Sequence, residues 1–134
     1  MIAIDTSVVV AAFASWHEGH RGALAALARR PRIPAHVMAE SYSVLTRLPP
    51  PHRAPADVVV SFLVARFPGA PLTLSGKSYR VLLRELVQLG LAGGAVYDAL
   101  IAATARLAGA VLLTRDRRAA LVYDALGVPY EFVA

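Results

Sequence analysis

A chain of 134 residues with a net charge of +5 and no cysteine is long enough for one domain with a proper core and excludes disulfides and thiolate chemistry. Its 57% hydrophobic and 17% charged residues predict helices covered on both faces, or an apolar surface that meets another subunit or partner. No stretch reaches the roughly 20 apolar residues of a spanning helix, and Met1-Ile2-Ala3-Ile4-Asp5 lacks the basic and apolar regions of a signal peptide, so a cytoplasmic protein without membrane contact is expected.

In chain order, Met1 to Ile4 reads as a short buried strand with Asp5 at its end. Thr6 or Ser7 can cap a helix over Val8 to Ala14. His17 to Arg30 reads as a second helix, with Ala23, Leu24 and Leu27 on one face. Pro31 and Pro34 punctuate the chain, and a third helix runs from about Ala35 to Leu48. Glu40 flanks its apolar stripe of Val37, Ser41, Val44, Leu45 and Leu48. Pro49-Pro50-Pro51 ends it.

Ala56 to Phe67 forms a fourth helix, and Leu72-Thr73-Leu74 is a short strand candidate. Ser75 caps a helix that reaches about Leu89. Gly93-Gly94 opens a helix from Ala95 to Leu107 whose only charges are Asp98 and Arg106. A helix so apolar all round is buried on most sides. Ala110 to Leu113 is an apolar strand followed by Thr114-Arg115-Asp116. A last helix over Arg117 to Leu126 ends at Gly127, and Val128 to Val133 closes as a strand. Helices alternating with strands predict an α/β fold, a three-layer α/β/α sandwich around a mostly parallel sheet. No repeat, linker or internal boundary interrupts residues 1–134, read as a single domain.

Four carboxylates, Asp5, Glu40, Asp98 and Asp116, lie in or beside apolar segments. Charges are rarely buried without a partner. In a parallel sheet, sites gather at the carboxyl ends of the strands, where Asp5 and Asp116 both fall. Convergence of all four would give an oxygen-rich pocket suited to a hard divalent cation, Mg²⁺ or Mn²⁺. Such an ion lowers the pKa of a bound water and stabilises charge developing on a phosphodiester.

Each residue has a rival reading. Asp5 and Asp116 suit helix caps, Glu40 a pairing with Arg47 or another arginine, and Asp98 a favourable charge on a helix dipole. His17, His20, His36 and His52 show no trusted ligand spacing within one segment. Trp16 and Tyr97 read as packing residues. Ser7 lacks the glycines of a nucleophile elbow.

Thirteen of the fourteen basic residues are arginine, and Lys77 is the one lysine. Arginine suits phosphate recognition, although genome base composition also favours it. Fourteen basic residues face five acidic ones once the four are set aside, which fits a nucleic acid substrate. Arg115, Arg117 and Arg118 flank Asp116 and are the expected contacts to that nucleic acid.

Four motifs carry a family resemblance. Met1-Ile2-Ala3-Ile4-Asp5-Thr6-Ser7-Val8 resembles the opening of a PIN domain. Pro34-Ala35-His36-Val37-Met38-Ala39-Glu40 resembles the family's acidic helix. Asp98-Ala99-Leu100-Ile101-Ala102-Ala103-Thr104-Ala105 resembles its third acidic motif, and Leu112-Leu113-Thr114-Arg115-Asp116 followed by Leu126-Gly127-Val128 resembles its closing motif. The likeness covers the whole chain in motif order and is strongest to VapC-type toxin ribonucleases. It implies a Mg²⁺- or Mn²⁺-dependent endoribonuclease and a homodimer. It further implies a VapB-type antitoxin whose C-terminal segment covers the site. Asp5, Glu40, Asp98 and Asp116 would be its metal-centred residues, with Thr114, Thr6 and Ser7 in support. The groove for the antitoxin is expected over Ser7 to Leu48, with Phe13 and Trp16 in it. Pro49 to Leu91 matches no family motif.

The alternative is a PIN-like module that binds nucleic acid or a partner without cutting. A complete acidic set argues against it. A haloacid dehalogenase-type phosphatase needs a second Asp where Ser7 stands, and a receiver domain needs an acidic pair at the first strand and a late lysine. Neither matches.

Overall fold

The computed structural model describes residues 1–134. Three strands, β1 (Ile2–Ile4), β2 (Val111–Thr114) and β3 (Tyr130–Phe132), form a parallel sheet in the order β1-β2-β3. Seven helices surround it: α1 (Thr6–Phe13), α2 (His20–Ala28), α3 (Ala35–Arg47), α4 (Ala56–Arg66), α5 (Gly76–Leu89), α6 (Ala95–Leu107) and α7 (Arg117–Leu126). The architecture is the expected three-layer sandwich. Parallel neighbours need helical crossovers, which cover both faces. The strands are accordingly uniformly apolar: Ala3, Ile4, Leu112 and Leu113 are fully buried. They belong to one cluster of 29 buried residues. Helix α6 supplies Ala99, Ile101, Ala102, Ala103 and Ala105 to it, small residues that let the helix lie close to the sheet.

The register fixes where the site falls. Ile4 stands opposite Leu113, and the Asp5 N–H donates to the Leu113 carbonyl at 3.1 Å. Asp5 and Thr114 therefore leave the sheet side by side at its carboxyl edge.

Several boundaries differ from expectation. Helix α1 starts at Thr6, and Asp5 itself is the N-cap. Helix α2 starts at His20, because the Gly19 N–H donates to His17 Nδ1 and holds His17 to Gly19 in a turn. Leu72 makes one parallel bridge to Pro34 and no strand forms over Leu72 to Leu74. Arg32 bridges to Ala3 on the free edge of β1. The prolines on either side of Arg32 hid this contact, since a residue without an N–H marks a poor strand. Strand β3 is shorter than Val128 to Val133: Gly127 adopts a left-handed cap, and the Val128 N–H turns back to the Tyr123 carbonyl.

Candidate active site

Asp5 is the most buried carboxylate, at 2% exposure. Its Oδ1 accepts from the Ser7 hydroxyl at 2.5 Å and the Val8 N–H at 3.4 Å, and its Oδ2 accepts from the Tyr123 hydroxyl at 2.8 Å. Burial raises its pKa, while the hydroxyls of Ser7, Thr114 and Tyr123 and the Val8 N–H favour the charged form and oppose the rise. Thr114 stands close enough to assist Asp5 in this way, yet the bond with clear geometry is the one its Oγ1 accepts from the Asp116 N–H at 3.0 Å. Thr114 thus fixes the turn that leads from β2 to Asp116.

Asp116 caps α7 by accepting from the Arg118 and Ala119 N–H groups at 2.9 and 3.1 Å. Glu40 reaches in from α3, where Oε1 accepts a short bond from the Thr6 hydroxyl. Asp98 lies in the first turn of α6. The expected pairing of Glu40 with Arg47 does not occur. The His36 imidazole, one turn before Glu40, has its Nε2 at 3.6 Å from Oε2.

Glu40, Asp98 and Asp116 line one open cavity of about 730 Å³ together with Thr6, Ser7, His17, Arg115, Arg117 and Arg118. Asp5 is not in the lining but accepts from the hydroxyl of Ser7, which is. The four carboxylates feel one another. Burial pushes the Asp98 pKa up to about 6, and Asp116, Glu40 and Asp5 push it in the same direction, with Arg118 opposing. Negative charge is therefore in excess at this spot.

The donor set is all carboxylate and hydroxyl oxygen, with His17 at the margin, which suits Mg²⁺ or Mn²⁺. Glu40, Asp98 and Asp116 share the cavity, and no three acidic or imidazole groups stand close enough to form a ready coordination shell. Asp5 and Asp116 are turned toward the N–H groups of the helices they cap, which spreads the donors. The arrangement fits a cation that takes one or two carboxylates directly and keeps most of its waters.

Arg115, Arg117 and Arg118 rim the cavity. The Arg115 N–H donates to the Ser7 hydroxyl at 2.8 Å. Its side chain lies over Gly19, where a Cβ would collide with the guanidinium. Arg117 stacks on Phe132 at 4.6 Å.

Two aromatic residues correct the packing reading. Trp16 is 50% exposed and Tyr97 54% exposed. Tyr123 is the functional neighbour that sequence reasoning missed. It lies seven residues after Asp116, two helical turns along α7. That spacing puts it on the face that looks back toward the strand ends, but a buried tyrosine in an apolar stripe reads as core.

The PIN-domain profile matches residues 2–125. The chain belongs to the PIN-domain family. It is 51% identical to ribonuclease VapC40 of Mycobacterium tuberculosis over 133 residues, 99% of each chain. It is 44% identical to ribonuclease VapC27 of the same organism, over 95% of this chain and 93% of that one. Among solved structures it resembles VapBC2 from Rickettsia felis bound to a promoter DNA fragment, with a TM-score of 0.67 at 23% identity over all of both chains. It also resembles FitAcB from Neisseria gonorrhoeae, with a TM-score of 0.69 at 20% identity over 97% and 96% of the two chains. Those two likenesses concern the fold. No helix is long and apolar enough to cross a membrane.

Proposed function

We propose that this chain is the ribonuclease toxin of a toxin–antitoxin pair, cutting RNA phosphodiester bonds in the cytoplasm with Mg²⁺ or Mn²⁺. The observation that carries the reading is the convergence of Glu40, Asp98 and Asp116 on one cavity, with Asp5 bonded to its lining residue Ser7; burial and then the neighbouring carboxylates raise the Asp98 pKa there. Carboxylates clustered in a partly buried site cost stability, and a site that retains them has a use for a cation. Identity of 51% to a named ribonuclease along the whole chain supports the same reaction class.

Asp98, Glu40 and Asp116 would hold the ion, with Asp5 oriented behind them by Ser7 and Tyr123. The bound ion would supply charge neutralisation and an acidified water. The protein's own part is to fix the oxygens. Thr6 steadies Glu40, Ser7 and Tyr123 steady Asp5, and the α7 N–H groups steady Asp116. Arg115, Arg117 and Arg118 would hold the RNA backbone at the rim.

An unrestrained ribonuclease would harm its own cell. An antitoxin of the VapB type is therefore part of the proposal, its tail reaching the cavity along α1 and α3 and satisfying the carboxylates with a basic side chain. The solved neighbours include a VapBC complex. The apolar residues left exposed on α4 and α5, among them Val60, Val64, Leu83 and Val87, support a homodimer of single-domain protomers. The test is RNA cleavage by purified protein with Mg²⁺ or Mn²⁺. Cleavage stops in EDTA if the proposal holds. Cleavage that continues unchanged in EDTA overturns the metal mechanism.

A further inference from the structure

Two exposed aromatic residues each adjoin, in the chain, a residue that lines the acidic cavity. Trp16 immediately precedes His17, and Tyr97 immediately precedes Asp98; both His17 and Asp98 line the cavity. Each aromatic ring is backed by an imidazole. Trp16 lies against His52 with ring centroids 4.0 Å apart and 31° between planes. Tyr97 lies parallel to His36, with centroids 5.4 Å apart and 4° between planes. His36 is one turn before Glu40. The two pairs sit at opposite ends of α3, with His36 in its first turn and His52 beyond its last. At 1.5 Å per residue, the stretch of α3 from His36 to its end at Arg47 is roughly 16 Å long.

A lone exposed aromatic is common and has no special meaning. Two of them, each held by a backing ring and each one residue from a cavity-lining side chain, form a pattern. Backing fixes the ring plane, and exposure leaves π surface for another flat group. The flat group available beside a phosphate is a nucleobase, and base–aromatic stacking tolerates any base.

We propose that Trp16 and Tyr97 are stacking platforms that hold one RNA base on each side of the phosphate at the carboxylates. This rests on the ribonuclease reading. Stacking splays the strand at the scissile phosphate and so favours unpaired RNA over duplex. The platforms position substrate and take no part in bond breaking.

Trp16 is the one tryptophan in the chain, so its fluorescence reports on this surface alone. The full chain carrying Asp116→Asn, which preserves the α7 cap, is titrated in Mg²⁺ with a short mixed-sequence oligoribonucleotide. A sugar–phosphate oligomer of the same length without bases is the second probe. The base-bearing oligomer quenches the tryptophan, and the abasic one binds without quenching. In an otherwise wild-type chain, Trp16→Ala and Tyr97→Ala each raise KM about 5- to 150-fold with kcat less affected. Tyr97→Phe, which keeps the ring, restores KM. Equal quenching by both oligomers, or KM unchanged in both alanine variants, overturns the platforms. RNA cleavage by the wild type without quenching overturns the platforms and leaves the ribonuclease reading intact. Failure of the wild type to cut any RNA overturns the reading on which they rest.

Discussion

The site has two halves built in different ways. Asp5 and Asp116 end strands β1 and β2 and cap helices α1 and α7, with backbone N–H groups on their carboxylates. Glu40 and Asp98 ride on helices. Glu40 accepts one side-chain bond, and Asp98 accepts none within the protein. The strand-end pair therefore serves the fold and the site together, so the cap reading and the site reading of these residues are compatible. The helix-borne pair has only the site to serve. Removing a strand-end carboxylate should damage both properties, and removing a helix-borne one should damage activity alone.

Activity gives the largest expected effect and does not separate the halves. Asp5→Asn and Asp98→Asn should each lower kcat/KM for RNA by about 10²- to 10³-fold, the scale of losing one charge-stabilising group. Either variant retaining wild-type cleavage would remove that residue from the site.

Tyr123→Phe should act on the strand-end half alone. It deletes the hydroxyl that donates to Asp5 Oδ2 and keeps the buried ring that lies near Tyr130. Loss of a group that orients a ligand typically costs about 10- to 100-fold. The readout is the Mg²⁺ concentration for half-maximal cleavage, which should rise while the melting temperature stays within a few degrees. An unchanged metal dependence would make Tyr123 a core residue only.

Stability should separate the halves. Asp5→Ala removes a cap worth about 1 kcal/mol and leaves a buried Tyr123 hydroxyl unpaired, which costs about 1–3 kcal/mol. Relief of the buried charge offsets part of this, for a net loss of about 2 kcal/mol. Asp5→Asn keeps an acceptor for Val8 and relieves the charge, so metal-free protein should match or exceed the wild type. Asp98→Ala should likewise cost nothing in metal-free protein. Denaturant unfolding in EDTA measures all three. A large loss in Asp98→Ala would mean that it, too, supports the fold.

The same division decides how much the sequence could reveal. Asp5 and Asp116 were legible because an apolar run followed by a carboxylate is local, and the parallel register then brings the two strand ends together. Glu40 and Asp98 were legible only as charges in apolar surroundings. What places them is the packing of α3 and α6 against the strand ends, a long-range event without a local signature. The three-layer order followed from alternation of helices and strands. The spread of the donors was not legible, since a cap and a metal ligand draw on the same oxygen. Arg32 beside β1 and the exposure of Trp16 and Tyr97 depended equally on tertiary contacts.

The rim tests whether phosphate recognition belongs to the strand-end half. Arg117 and Arg118 open α7 directly after Asp116. Replacing both by Ala should weaken RNA binding and reduce the slope of log K against log salt by up to about 1.4, at roughly 0.7 per single-strand phosphate contact. Arg118 should contribute more, because it favours the charged form of Asp98 while Arg117 is held on Phe132. An unchanged slope would make the pair a solvated helix face.

The smallest effect is a pH dependence in metal-free protein, and its sign follows from Asp98. The folded pKa, about 6, lies above the ordinary value of 3.8, so the folded state holds the proton more tightly than the unfolded chain. The associated stability is fully present below about 3.8 and is lost as pH rises through about 6. Asp5 shifts in the same direction. Asp98 is only partly buried, and solvent screening keeps its contribution modest. In EDTA, the melting temperature should fall between pH 4 and pH 6.5 relative to Asp98→Asn, which has no proton to lose at that position. Mg²⁺ should narrow the gap at the upper end, because a bound cation favours the carboxylates that the empty cavity disfavours. Identical pH profiles for the two chains would show that Asp98 does not share a field with the other three carboxylates, and the helix-borne half would then have no electrostatic link to the strand ends.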